Sequence, residues 1–158
     1  VHDISPVPVR ALEELGAEAA DGAAAVARAC GIVVTMLPGP QEVLETITGA
    51  GGVLDNLRPG GLLMDSSTVD PETTDRLAAA CADRGVSFVD APVGRLAQHA
   101  ARGESLFMVG ASDDDFARVK PLLDAMGSTV HHCSGPGAGT RTKLVNNYLA
   151  VVSNQLNA

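Results

Sequence analysis

Ile32-Val33-Val34-Thr35-Met36-Leu37 decides the fold. The run is rich in β-branched residues and lacks the alternation of apolar and polar positions that a half-wet strand shows. It therefore reads as a strand over 31–37 covered on both faces, as in a parallel sheet. Working outward, similar runs recur at 62–67, 86–91, 105–110 and 129–133, with a short one at 1–3. Helical periodicity fills the intervals at 6–15, 22–30, 40–48, 71–84, 113–126 and 139–158. Strands alternating with helices predict an α/β fold with a doubly wound, mostly parallel sheet.

Local signals agree with that alternation. Asp70-Pro71 supplies a capping acid and a proline for the first helical position. Asp113-Asp114-Asp115 after Ser112 places acids where a helix macrodipole favours them. Gly61, Gly85 and Gly127 close the elements before them. The 158 residues suffice for one domain with a real core. Aromatics are only 3 % of the chain, so that core must be built from Ala, Val, Leu and Ile. The net charge of −8 repels nucleic acid and anionic membrane surfaces. No apolar run is long enough to span a bilayer and no signal-peptide pattern is present, which sets a cytoplasmic expectation. Cys30, Cys81 and Cys133 lack metal-ligand spacing and are odd in number, so they read as reduced, mostly buried small residues. His2, His99, His131 and His132 form no metal or triad pattern and read as structural or surface groups. Both ends look cut: the chain opens on Val1-His2-Asp3 without Met and stops at Asn157-Ala158 inside a periodic helix, as a piece of a longer protein would.

Ligands of such sheets lie at the carboxyl ends of the strands, which directs attention to four segments. Asp3 ends the first run, where an acid can bind ribose hydroxyls and repel a 2′-phosphate, favouring NAD over NADP. Met36-Leu37-Pro38-Gly39 turns sharply after the deciding strand. Asp65-Ser66-Ser67-Thr68 brings short hydroxyls that can bond a cofactor amide or a substrate oxygen, or cap the helix starting at Pro71. Asp90-Ala91-Pro92-Val93-Gly94-Arg95 carries one strong cation, whose planar fork matches a carboxylate, phosphate or sulfonate; the polar loop that follows, up to Gly103, is long. Further on, Gly137-Ala138-Gly139-Thr140-Arg141-Thr142-Lys143-Leu144-Val145-Asn146-Asn147 opens the last helix with glycines that allow close approach of a ligand. Lys143 and Asn147 sit four apart and share a face with Asn154. Leu144, Val145, Tyr148, Leu149, Val152 and Leu156 form an apolar face, the side such a helix ordinarily buries.

Together these segments resemble the β-hydroxyacid dehydrogenase family, which includes 3-hydroxyisobutyrate dehydrogenase and tartronate semialdehyde reductase. The matching stretches are Val1-His2-Asp3, Thr35-Met36-Leu37-Pro38, Asp65-Ser66-Ser67-Thr68-Val69, Phe88-Val89-Asp90-Ala91-Pro92-Val93, Met108-Val109-Gly110 and Gly137 through Asn147. The resemblance implies a Rossmann-like NAD-binding domain over 1–137, lacking its first strand and glycine loop. It also implies that 138–158 begin a long interdomain helix leading to an all-helical domain, which usually dimerises, so a homo-oligomer is expected of the full-length protein. It makes Lys143 the catalytic proton donor in aldehyde reduction. It sets Asp3, Met36, Leu37, Pro38 and Thr68 against the NAD cofactor, and Ser67, Gly94, Asn146 and Asn147 around the substrate. Most of the family has Ser-Gly-Gly where this chain has Gly94-Arg95-Leu96. The Gly-Arg variant, with Arg141, Lys143 and Asn146-Asn147-Tyr148, is similar to the sulfolactaldehyde reductase branch and implies a sulfonate held partly by Arg95. Leu96 and Ala97 depart from that branch, which has hydroxyl residues there. The expected activity is NAD-dependent interconversion of a small anionic aldehyde and its hydroxyacid, with 3-sulfolactaldehyde first. 3-Hydroxyisobutyrate or tartronate semialdehyde (2-hydroxy-3-oxopropionate) is the alternative, and a non-catalytic nucleotide-binding interaction module is the alternative of another class.

Overall fold

The computed structural model describes residues 1–156. Asn157 and Ala158, and the side chain of Asn154, lie outside the described residues. Among the described residues six strands and eight helices follow one another as α1 (Pro6–Glu13), α2 (Ala23–Ala29), β1 (Ile32–Thr35), α3 (Pro40–Thr48), α4 (Val53–Asn56), β2 (Leu62–Asp65), α5 (Pro71–Asp83), β3 (Ser87–Asp90), β4 (Val93–Gly94), α6 (Ala97–Ala100), β5 (Ser105–Val109), α7 (Asp113–Met126), β6 (Gly127–His132) and α8 (Ala138–Leu156). The strands β1-β2-β3 pair in parallel. In a second sheet β5 pairs in parallel with β6 and antiparallel with β4. Asp90 and Gly110 exchange backbone bonds of 3.1 and 2.8 Å and join the two sheets.

The centre of the first sheet shows why a continuous apolar run was required. Leu63 faces one core with Val33, Val43, Ile47, Leu77 and Phe88. Its neighbours Leu62 and Met64 face the opposite core with Val89, Val109, Val119 and Leu123. All three β2 residues are fully buried, each worth about 1.5–3 kcal/mol of burial. On the first face α2, α3, α4 and α5 supply the cover, and on the second α7 does. The deciding strand itself is less covered than its sequence suggests. Val34 is 45 % exposed: it shares the face of its register partner Met64 and lines an open groove. Nor do residues 1–3 form a strand: Val1 exchanges backbone bonds only with Glu18 and Ala20. The four-residue helix α4 and the β4–α6 structure inside 93–103 are too short to show a period in the sequence.

The N-caps are as read, and of the three closing glycines only Gly85 forms a left-handed cap, Gly61 lying beyond the end of α4 and Gly127 being extended at the start of β6. Asp70 accepts from Thr73 N at 2.8 Å, which holds its carboxyl below the usual range, and Ser112 accepts from Asp115 N at 3.2 Å. Gly85, at φ +64, ends α5 with the bond from Val86 N to Cys81 O that a left-handed cap provides. The cysteines are free, but Cys81 alone is buried, its thiol pushed up to about 12 by desolvation. Among the described residues no His, Cys, Asp or Glu cluster is arranged for a metal, and no helix is long and apolar enough to cross a membrane. His132 stacks on Phe116 with ring centroids 4.1 Å apart.

Candidate active site

The carboxyl ends of β1, β2 and β3 stand in register, with Thr35, Asp65 and Asp90 side by side. Asp65 is buried. Its Oδ1 accepts from Thr35 Oγ1 at 2.8 Å and from Ser67 Oγ at 2.7 Å. Burial raises its pKa, and these bonds oppose the rise. Ser67 Oγ in turn accepts from Leu37 N at 2.9 Å. The side chain of Asp65 thus ties the loop after β1 to the loop after β2 and sets the width of the crevice between them. Ser67 is 2 % exposed and its hydroxyl is spent on this clamp. The structure therefore gives the Ser67 side chain a holding role, and a ligand would meet the exposed Thr68 instead. Met36 and Pro38 are exposed at the same edge and Leu37 is half-buried against the core.

Between these tips and the 93–103 segment runs a groove of about 460 Å³, lined by Val34, Met36, Ser66, Val93, Gly103 and Phe107 among others. The Ser66 hydroxyl is buried there without a hydrogen-bond partner. A mostly apolar groove with one unsatisfied hydroxyl at the strand tips suits a flat ring bearing an amide. Asp3 lies elsewhere, exposed, with Oδ1 accepting from Ser5 N at 2.7 Å ahead of α1. That oxygen does the work of a helix-start acid, and the other meets no partner among the described residues.

Asp90 is the second buried carboxylate, 1 % exposed. It accepts from Gly137 N at 2.5 Å and Thr140 N at 2.6 Å. Burial raises its pKa, and those two backbone bonds oppose the rise. Close approach here is between backbones. A Cβ on Gly139 would lie 2.3 Å from Met108 O and 2.8 Å from Asp90 O, and one on Gly110 would lie 2.8 Å from the amides of Ala138 and Gly139. The glycines that open α8 thus seat the helix on the strands rather than admit a ligand, which corrects the sequence-based expectation. Thr74 and Thr140 share a hydroxyl contact of 3.1 Å, and Arg141 pairs with Asp75 through contacts of 3.0 and 2.8 Å.

The face of α8 that Gly139 begins continues through Lys143 and Asn147. Both are half-buried. Desolvation holds the Lys143 ammonium below the usual lysine range. Lys143 falls in the second turn of α8. The expected burial of the apolar face is largely reversed: Leu144, Val145, Tyr148, Leu149 and Leu156 are exposed at 41–81 %, and only Val152 of that set is half-buried. Asn146 is exposed and lines the outer flank with Thr142, Val145 and Leu149, apart from the Lys143 side.

Gly94 is buried in β4 and Arg95 is exposed. The Arg95 backbone is left-handed, φ +72, a conformation that costs a side-chain-bearing residue about 1–2 kcal/mol. Its guanidinium donates to Glu104 O at 2.6 Å, Ser128 Oγ at 3.0 Å and Thr129 Oγ1 at 3.4 Å. These partners are neutral. Arg84, Arg102, Arg118 and Arg141 are each paired with a carboxylate, whereas among the described residues Arg95, like Arg10, Arg28, Arg58 and Arg76, forms no such pair. Sequence reading missed Asp65, Ser66 and Asp90. The available signal was an acid ending each of two buried runs, Leu62-Leu63-Met64-Asp65 and Phe88-Val89-Asp90.

Comparison with known proteins bears on the same residues. The NAD-binding domain of 6-phosphogluconate dehydrogenase, as a family, matches residues 1–135. Mouse mitochondrial 3-hydroxyisobutyrate dehydrogenase is 37 % identical over 153 residues, 97 % of this chain and 46 % of that protein. The 3-sulfolactaldehyde reductase of Escherichia coli K12 is 37 % identical over 158 residues, 100 % of this chain and 53 % of that protein. The structure of Mycobacterium tuberculosis 3-hydroxyisobutyrate dehydrogenase with L-serine superposes with a TM-score of 0.89 at 30 % identity, covering 95 % of this chain and 50 % of that one. The chain spans about half the length of the curated relatives it matches.

Proposed function

The chain belongs to the family of the NAD-binding domain of 6-phosphogluconate dehydrogenase, and from that premise we propose that it is the nicotinamide-binding part of a β-hydroxyacid dehydrogenase acting on a small anionic aldehyde and its hydroxyacid. In this reading residues 1–137 form the cofactor domain and 138–158 begin the helix toward a further domain. The observation that carries it is the orientation of α8, which turns Lys143 and Asn147 inward and leaves its apolar stripe outward. Folding alone favours the opposite arrangement, so the inward polar face needs a functional reason. The exposed stripe also supports a partner surface, from the rest of the chain or from a second copy in a homo-oligomer.

The residues present fit the nicotinamide half of NAD through the apolar groove, the unpartnered Ser66 hydroxyl and the exposed Thr68. They supply no glycine-rich turn with the spacing that cradles a pyrophosphate. When bound, the nicotinamide supplies the hydride donor or acceptor. Met36, Leu37 and Pro38 would hold it along the tip of β1, and the free oxygen of Asp3 would take a ribose hydroxyl. Lys143 then acts on the carbonyl oxygen alone. Its ammonium stabilises the charge growing there and delivers the proton, and in oxidation the neutral amine takes a proton back. Asn147, one turn on, orients that oxygen.

Among substrates we place 3-sulfolactaldehyde first. Arg95 bears a charge that no carboxylate cancels and sits in a strained conformation that glycine would adopt freely. Gly94 and Ser67 complete the proposed substrate side, Ser67 through its backbone, whereas Asn146, expected there from the sequence, stands on the outer flank of α8. The equal identity to a 3-hydroxyisobutyrate dehydrogenase keeps that substrate, with tartronate semialdehyde, as the second reading. The deciding experiment is Lys143→Ala in the complete protein, assayed for aldehyde reduction with NADH. Turnover should fall on the order of a hundred- to ten-thousand-fold while NADH affinity stays nearly constant. Undiminished turnover removes Lys143 from this role.

A further inference from the structure

We infer that Asp90 is the positioning residue for Lys143: its buried carboxylate locks the first turn of α8 onto β3 and so sets where the lysine stands over the strand tips. The inference rests on the role proposed for Lys143. A helix needs acceptors for its first amides, and α5 and α7 obtain them locally and near the surface, from Asp70 and Ser112. α8 does otherwise. The amide of Gly137, just before the helix, and that of Thr140 in its first turn go to a carboxylate 47 and 50 residues earlier in the chain, 1 % exposed, at the end of β3. A local hydroxyl or acid would cap the helix without the desolvation that a buried carboxylate incurs. What the remote cap adds is registration. Both carboxylate oxygens are engaged, the Asp90 backbone is itself fixed by Gly110, and at Gly110 and Gly139 the helix start already lies backbone to backbone against the strands, so it cannot sit lower. Lys143 follows Thr140 by three residues, less than one turn, so any tilt or slide of that turn is transmitted to its side chain.

The test uses the complete protein with Asp90→Asn. Asparagine keeps the size but offers one acceptor oxygen for two amides and turns an N–H donor toward the other. Turnover counted per NADH-binding site should fall roughly 10- to 100-fold, the range expected for displacement of a reacting group by up to about 1 Å. NADH affinity should stay within about twofold, and amide exchange at Gly137 and Thr140 should accelerate. Added to Lys143→Ala, the Asp90→Asn change should cost little more, since both act through one group. A purely structural role predicts unchanged turnover per binding site, or losses that multiply in the double variant, and either result overturns the inference. If Lys143→Ala alone retains turnover, the function reading fails and this inference with it; if Lys143→Ala is inactive and Asp90→Asn is not impaired, only the inference fails. Should Asp90→Asn not fold, amide exchange in the unaltered protein decides. Gly137 and Thr140 amides protected like those of β2, and beyond the Thr73 amide capped by exposed Asp70, support the lock; exchange at turn-like rates refutes it.

Discussion

Gly139→Ala puts the seating of α8 to a direct test. The added methyl carbon would lie 2.3 Å from Met108 O, 2.8 Å from Asp90 O and 2.9 Å from Gly110 N. All three are backbone atoms of paired strands, so no rotamer change relieves the clash. To reach van der Waals separation the first turn of α8 must retreat by about 1 Å. Overpacking of this kind costs about 1–3 kcal/mol, and in a domain of this length each kilocalorie lowers the melting temperature by roughly 2–4 °C. A fall of roughly 2–12 °C is therefore expected in a thermal scan. The same displacement carries Lys143 with it, and an error of about 1 Å at a reacting group lowers turnover by on the order of a hundredfold. Gly135→Ala is the control: it lies four residues earlier, has a backbone open to any residue, and its added carbon would meet nothing within 4 Å. That variant should melt within about 0.5 kcal/mol of the parent with full activity. Parental melting and turnover in Gly139→Ala would refute the reasoning, as would equal losses in both variants.

Arg95→Gly should raise the Michaelis constant for a sulfonate aldehyde far more than for an uncharged one, and equal effects on both would defeat the sulfonate reading; its stability should change little, because relief of the left-handed strain offsets the three lost hydrogen bonds. The pH profiles of the two directions should be mirror images. Burial depresses the Lys143 pKa, so reduction, which needs the ammonium, falls as pH rises through a value below the ordinary 10.5, while oxidation, which needs the amine, rises through the same value. A reduction rate level up to 10.5 contradicts this. Residues 1–158 alone should bind NADH more weakly than micromolar in titration calorimetry, because no glycine-rich helix start holds the pyrophosphate; micromolar binding would show that the pyrophosphate is held by other means.

The sheet was legible because a strand covered on both faces leaves a plain trace: Leu62-Leu63-Met64 is apolar without alternation, and the structure places those residues alternately in two cores. The caps at Asp70 and Ser112 were legible because their partners lie three residues away. The site was legible only in part. Asp65 and Asp90 stand in the motifs at the strand ends, yet their partners lie up to 50 residues distant, a separation that no local pattern encodes. Arg95 could be singled out as a cation at a strand end, but its left-handed backbone and its three neutral acceptors depend on how β4 and β6 flank β5. The 1–3 run failed as a strand because a strand is defined by its neighbour, and no described strand flanks Val1.

The failure at α8 is the most informative. Amphipathic periodicity locates two faces but does not say which one meets the protein, and burying the apolar side is the default because it removes the most nonpolar surface from water. Here that default is reversed within the described residues. The inward side carries Gly139, Thr140, Lys143 and Asn147, the first two because the helix start lies directly on the β3–β5 junction, where only small or hydrogen-bonded residues fit. The helix therefore forgoes its hydrophobic gain and is held instead by Asp90, Thr74 and the Asp75–Arg141 pair. Surface ion pairs contribute little, so the buried contacts at Asp90 and Thr140 must dominate. A start fixed by polar contacts, followed by a length whose apolar stripe is free to take a second covering, suits an element that must keep one lysine fixed relative to the sheet while presenting another face to a partner.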